Sequence, residues 1–502
     1  LNSEEKMSGK RVAKNTLFQI VKMLITTVVN LYMVRVLLHQ LGVEGYGIFN
    51  LIAGVLALML FLNGAMTTSS QRYLSFYSTQ QLEKRTSVFA TTKSLHIVVA
   101  MIIFLLLFSL QTFIFEDLIN IPVSVVSSAQ SLYQIMAVGV LASVVTVPFN
   151  AQINANEDLG IDAVFSVFES LFKLIAAFLI VFFENQLVSL GALFVLVSWT
   201  MLIVKVVYCR IKYEECNLLN FKLDIALFKE MIGFTSWNSF GAICGVARVQ
   251  GLAVVLNHFF GVYINAVYAI AVQVNGKLKE FSINIMKAFN PRIVKAESKD
   301  NREEMLHLSM LASRFSLLLY SVIALPIFFE TDFMLSIWLG DYPDGVLTFI
   351  KLFLVLAFVN LTTVGLQTAI QATGDVKAYQ STIGSVLLLT VPLAYIFLSL
   401  GYPPYTVIVV SIFMEVVSCG MRLAFLKLKA GLSIKKYILF VINKALQVLI
   451  PTIVVLFSLT ISFEQSILRF ISTTLVSFGM ISFLTYWLVL GVEEKKMIRL
   501  KV

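Results

Sequence analysis

Runs of about twenty apolar residues recur along this chain from end to end, and a helix needs roughly that many to cross a hydrocarbon core about 30 Å thick. About fourteen such spans fit the sequence by length and hydropathy: 16–38, 45–66, 94–115, 125–147, 161–183, 188–209, 230–257, 262–290, 308–330, 346–371, 380–400, 404–426, 441–461 and 468–490. The 502 residues are 58% hydrophobic and 13% charged. Mean hydropathy is +0.87, far outside the range of soluble domains. The segments left over are too short for a soluble domain, so the expected fold is an all-α integral membrane protein whose chemistry happens within or at the bilayer.

Lysine and arginine resist translocation, so their distribution over short loops sets orientation. About 25 of the 38 basic residues fall on one side of the alternating spans. They lie in the N-terminus, in the loops after spans two, six, eight and ten, in the segment after span twelve and in the C-terminal tail. Loops on the other side, such as HQLGVE and EDLINIPVS, carry none. Both termini are therefore expected in the cytoplasm, and the net charge of +9 reads as anchoring rather than nucleic-acid binding.

The four cysteines and four histidines show no metal-ligand spacing and no disulfide framework. Lys10, Arg11 and Lys14 before an apolar run resemble the start of a signal peptide. That run contains Lys22 and Arg35, is long enough to span and lacks a small-residue cleavage pattern, which favours a retained first helix.

A weak duplication appears at an offset near 220. HQLG at 39–42 echoes HFFG at 258–261, QRYLSFYSTQQLEKR from 71 echoes PRIVKAESKDNREE from 291, and INANED at 153–158 echoes IQATGD at 370–375. Six helices per copy is an even number, so the copies relate by an axis along the membrane normal. The expected organisation is an N-terminal lobe at 1–220, a C-terminal lobe at 221–430 and an appended helix pair with a tail at 431–502, with a cavity between the lobes.

Residues 15–52, NTLFQIVKMLITTVVNLYMVRVLLHQLGVEGYGIFNLI, resemble the opening of the Wzx-type polysaccharide flippases of the multidrug/oligosaccharidyl-lipid/polysaccharide exporter superfamily. The resemblance rests on Asn15, Arg35, the Leu41-Gly42-x-Glu44-x-Tyr46-Gly47 turn, Gln71-Arg72 and PFNAQINANED after span four. Asn63-Gly64-Ala65 departs from it, since many relatives carry an apolar residue before a glycine. It implies a MATE-like fold in the bacterial inner membrane and no enzymatic activity. It also implies translocation of a polyprenyl-pyrophosphate-linked glycan repeat unit, as in O-antigen, lipopolysaccharide or capsule assembly, alongside glycan-assembly proteins.

Charges inside the membrane are costly and mark function unless paired or near an interface. Lys205, Lys287, Arg314, Arg422, Lys444 and Arg469 lie near span ends and are expected to snorkel. Glu169 and Lys173, four apart, read as a structural pair, and Lys277 with Glu280 as a similar one. Lys22, Arg35, Arg248 and Lys279 have no acid at those spacings. Lys22, Arg35, Arg248, Lys277 and Lys279 are thus the candidate substrate-binding residues, in a cavity expected to be net positive.

Asn15, Gln19, Lys22 and Thr26 form one face of span one, and Arg35 lies about 160° around from it. On span seven Trp237, Gly241, Cys244 and Arg248 share a face, with Gly245 beside it. The small residues either leave the arginine room for a ligand or permit close helix packing. Arg35 and Arg248 each lie roughly 19 residues into their helices, about 28 Å, and are expected at similar depth. Guanidinium suits phosphate oxygens, whereas lysine acts as a point charge. This suggests reception of the pyrophosphate by Lys22 and retention by the two arginines.

Arg72 and Arg292 occupy corresponding positions after the second helix of each lobe, where they either attract an anionic headgroup or anchor to anionic lipid. Glu415, mid-span, is a candidate for proton or sodium coupling, or a static partner of a neighbouring arginine. Three rival functions stand beside the flippase. A cation-exporting multidrug antiporter calls for carboxylates in the cavity; a glycan polymerase or ligase calls for a sizeable outer loop; a channel fits a duplicated rocking architecture poorly.

Overall fold

Two glycines set the layout. The computed structural model describes residues 3–59, 62–77, 81–156, 158–216, 225–374 and 376–491. The helices in chain order are α1 (Ser3–Met59), α2 (Leu62–Tyr77), α3 (Leu82–Phe113), α4 (Val126–Ala155), α5 (Leu159–Leu179), α6 (Gln186–Lys212), α7 (Ile225–Ser298), α8 (Arg302–Phe329) and α9 (Thr331–Leu339). They continue with α10 (Val346–Thr362), α11 (Val364–Ala372), α12 (Val376–Leu388), α13 (Thr390–Ser399), α14 (Thr406–Ala430), α15 (Ile434–Tyr437), α16 (Lys444–Ser462) and α17 (Ile467–Leu484). Among the described residues there is no strand.

α1 and α7 run to 57 and 74 residues, which as straight rods would reach about 85 and 110 Å against a core of about 30 Å. Each is interrupted by a glycine in a region of backbone space that only glycine enters readily. Gly42 has φ 69° and ψ 176°, and Gly261 has φ 73° and ψ −167°. These are the glycines of the HQLG and HFFG echoes, so the duplication extends to matched backbone breaks. Twelve candidate spans result among the described residues, two of them 38 residues long. Val21–Leu58 and Ile243–Glu280 are the two that contain the breaks, and dividing each at its glycine accounts for the roughly fourteen crossings read from hydropathy. The chain is a multi-pass membrane protein.

Contacts group the chain into Leu1–Ala266 and Val267–Val502. The first part of α7, which opens the second repeat, thus packs with the first unit. In that unit α4 is central: Leu132, Val144, Ala151 and Ile153 are fully buried, and Phe149 packs edge-on against Phe89 of α3 with centroids 5.6 Å apart. Gly47 lies so close to α7 that an added Cβ would stand 2.0 Å from the Val262 carbonyl oxygen. The two glycine breaks are thereby brought to the same end of the unit. Asn257 reinforces that end, where its Oδ1 accepts from the Asn120 amide at 2.5 Å and its Nδ2 donates to the Asn120 carbonyl at 2.9 Å.

In the second unit α8 is the buried element, with Ser309, Ser313, Arg314, Leu317 and Tyr320 all inside. One span is broken at Thr363, between α10 and α11, and another at Leu389, between α12 and α13. The appended helices are fastened by Arg469 of α17, which grips Glu330 through Nε at 2.9 Å and Nη2 at 2.8 Å. Nη1 of the same guanidinium donates to the carbonyls of Thr460 and Phe463. Glu330 is fully buried, and all of its charge is met by this two-point contact.

Candidate functional site

The polar stripe of α1 faces α5 of its own unit. Gln19 Nε2 donates to the Leu159 carbonyl at 3.2 Å, and Lys22 Nζ meets Asp162 Oδ2 at 2.7 Å. Thr26 is spent on its own helix, donating to the Lys22 carbonyl at 2.8 Å. Asp162, one turn into α5, thus supplies the acid that α1 itself lacks at helical spacing from Lys22. Glu169 and Lys173 pair at 2.7 Å, as their spacing suggests.

Arg35 is exposed and Arg248 is half-buried; neither stands without an interaction partner. Nothing described in the first unit comes within 4 Å of a Cβ added at Gly245, while Cys244 beside it is buried. The room beneath Arg248 is therefore open at Gly245. Counted from the matched breaks, the two arginines do not stand at equal positions. Arg35 stands seven residues before Gly42 and Arg248 thirteen before Gly261, an offset of about 9 Å along the helix axis. Counting inward from the start of each apolar run misses this because the run at 230–257, before Gly261, is longer than the run at 16–38, before Gly42.

In the second unit Lys277 pairs with Glu280 at 3.0 Å. Lys279 is half-buried and interacting, and Arg292 is exposed near the end of α7. The side chains of Asn15, Arg72, Trp237 and Lys287 lie outside the described residues.

Glu415 is buried and fully engaged. Its Oε1 accepts from Arg422 Nη1 at 3.0 Å and from Asn360 Nδ2 at 2.8 Å. The same Arg422 nitrogen donates to Thr363 Oγ1 at 2.9 Å. Tyr437 donates to the Thr362 carbonyl at 2.6 Å, satisfying backbone freed by the helix break. Of its two sequence readings, the static partner is the one this geometry matches.

Several cations expected to snorkel do not. Arg422 and Arg314 are buried, and the Arg314 guanidinium carbon sits 4.3 Å from the Phe440 ring centroid and 5.3 Å from that of Phe315. Arg469 holds Glu330, and Lys205 is only 6% exposed. Lys444 does remain at an exposed helix end, donating to the Leu488 carbonyl at 2.6 Å. Proximity to a helix end is a poor guide because Arg314, Arg422 and Arg469 find tertiary partners there. No group of metal-ligating side chains occurs among the described residues.

No protein-family profile and no curated protein matches the sequence. Solved structures do match. An inward-facing multidrug resistance MATE family transporter of the MOP superfamily aligns with a TM-score of 0.71 at 13% identity, covering 83% of this chain and 98% of that one. The lipid II flippase MurJ, in an inward closed conformation, aligns with a TM-score of 0.68 at 12% identity over 96% of this chain and 100% of its own. A MOP superfamily transporter from Pyrococcus furiosus, described as having a binding pocket of reverse polarity, gives 0.63 at 13% identity, over 83% and 96%. The chain has the MATE-like fold of the MOP superfamily transporters.

Proposed function

We propose that this protein is a flippase that carries a polyprenyl-pyrophosphate-linked oligosaccharide repeat unit from the cytoplasmic to the outer leaflet of a bacterial inner membrane, with both termini cytoplasmic. The fold hosts drug exporters and a lipid flippase alike, so the choice rests on the sign and placement of charge. The observation that carries it is the stagger of three cations in the first unit. Lys22 stands twenty residues before Gly42, Arg248 thirteen before Gly261 and Arg35 seven before Gly42. At 1.5 Å per residue these are steps of about 10 Å along the helices, counted from the breaks.

A bare anion in hydrocarbon costs of the order of tens of kcal/mol, and successive cations lower that barrier at each stage. Lys22 receives the pyrophosphate as a point charge, then Arg248, with open space beside Gly245, and Arg35 take up its oxygens. Lys279, Arg72 and Arg292 contribute positive charge, the last two at the entrance, and Lys277 does so when it leaves its Glu280 partner. The prenyl tail stays in lipid while the path opens to the two faces in turn. Outward movement of an anion is favoured by about 2.3 kcal/mol per charge per 100 mV, so no coupling ion is needed. Proteins that assemble the same glycan are the expected partners.

A cation-exporting antiporter would need an excess of carboxylates along the same path, and the deep cations of α1 and α7 speak against it. The test is deletion followed by complementation, tracking lipid-linked repeat units in each leaflet. Arg248→Ala and Arg35→Ala should each leave the repeat units in the inner leaflet at normal expression. Full delivery by both variants would remove the assignment.

A further inference from the structure

Five charged groups gather where α1, α5 and α6 of the first unit meet. Lys22 reaches Asp162, and Lys173 reaches Glu169, each at 2.7 Å. The third ammonium is Lys205 of α6. It is 6% exposed, lies in the attractive field of both carboxylates and is repelled by Lys22 and Lys173. Among the described residues it makes no ion pair within 4 Å. Three cations therefore share two anions, and the cluster is one negative charge short. An ammonium buried without a full counter-charge is costly, so the shortfall calls for an explanation.

The two ion pairs differ. Lys173 and Glu169 are four apart on one helix and need nothing else. The other pair joins two helices, with side-chain exposures of 25% for Lys22 and 16% for Asp162, so it can be parted without disturbing either helix and is partly reachable, as the first is.

We propose that Asp162 is a resident counter-ion for the headgroup-binding Lys22: it neutralises this lysine when no ligand is bound, yields it to an incoming phosphate oxygen and pairs instead with Lys205. No covalent bond changes. The long, flexible lysine stem supplies the reach on the Lys205 side, and the ligand brings the missing negative charge. This rests on the flippase reading and adds a residue that sets affinity. Asp162 weakens binding by competing, and that competition keeps the anion from being trapped at the first station.

The test uses the full chain in lipid nanodiscs, titrated calorimetrically with inorganic pyrophosphate at fixed ionic strength. Asp162→Asn, which keeps shape and loses charge, should bind about fivefold tighter, the worth of one half-exposed ion pair. Lys205→Gln should bind about fivefold weaker, and should lose most of that effect when combined with Asp162→Asn, since the two act as a unit. Asp162→Glu retains the competitor and should stay within about twofold of the parent. If the parent binds and Asp162→Asn binds equally or more weakly with an unchanged unfolding temperature, the counter-ion role is overturned while the flippase reading stands. If the parent itself does not bind pyrophosphate, both fall.

Discussion

Glu415 and Arg422 lie seven residues apart on α14 and meet at 3.0 Å, both buried, with Asn360 donating to the carboxylate and Thr363 accepting from the guanidinium. Two helical turns put them on one face, and Asn360 and Thr363 at the end of α10 present their side chains to them. The arrangement staples α14 to the broken span.

Removing one member of such a pair strands the other charge. Glu415→Gln and Arg422→Gln should each cost about 3–5 kcal/mol of unfolding free energy, and replacing both with apolar residues of similar volume should recover most of the loss. Denaturant unfolding of the purified protein measures this. An unaltered unfolding midpoint in Glu415→Gln, together with lost ion dependence of transport, would return this carboxylate to a coupling role.

Gly47 and Gly54 test the seam between α1 and α7 in two grades. A Cβ at Gly47 would stand 2.0 Å from the Val262 carbonyl oxygen, which is backbone and cannot swing away. At Gly54 the clash is with Gln250 Oε1 at 2.2 Å, the far end of a flexible side chain. Gly47→Ala should abolish folded yield, judged by a monodisperse chromatographic peak. Gly54→Ala should lower stability by less than about 1.5 kcal/mol, the scale of an off-rotamer shift.

How much of this was legible follows from the range over which each signal acts. Hydropathy marks spans, and the His-x-x-Gly echo marks both breaks, because a left-handed backbone position selects glycine locally. The pairs 169/173 and 277/280 follow from helix spacing. Lys22 with Asp162 and Glu330 with Arg469 are about 140 residues apart in sequence, so no periodicity reveals them. Glu415 with Arg422 is local, but its spacing of seven falls outside the one-turn rule. The relative positions of Arg35 and Arg248 needed the glycine breaks as a common ruler, which hydropathy windows cannot supply.

The contact between α9 and the appended helices should respond to acid. Hydrogen bonds from Tyr342, then Gln465 at 3.0 Å, hold the Asp332 carboxyl below the usual carboxylate range, and the bond with Asp332 helps push the Tyr342 hydroxyl up to about 12. A depressed carboxyl contributes stability that is complete above its unfolded pKa of about 4 and lost as pH falls through the folded value. The raised phenol contributes below its unfolded pKa of about 10 and loses that contribution as pH climbs toward 12. Thermal unfolding should therefore be insensitive to these groups from about pH 5 to 9. Asp332→Asn should flatten the decline that the parent shows below pH 4; an unchanged acid limb would count against the contact.

Asn257 offers the sharpest contrast between a side chain and a backbone partner. Its amide is fully buried and makes two hydrogen bonds, both to main-chain atoms of Asn120. Asn257→Ala should cost about 1–3 kcal/mol, because two part-buried hydrogen bonds to the Asn120 backbone, each worth about 0.5–1.5 kcal/mol, are lost. Asn257→Asp should be worse than alanine, since a carboxylate still accepts from the Asn120 amide but sets a negative oxygen against the Asn120 carbonyl. Asn120→Ala, by contrast, leaves both bonds in place and should unfold within about 0.5 kcal/mol of the parent. Equal losses from Asn120→Ala and Asn257→Ala would mean that the end of the unit is held by something other than this reciprocal pair.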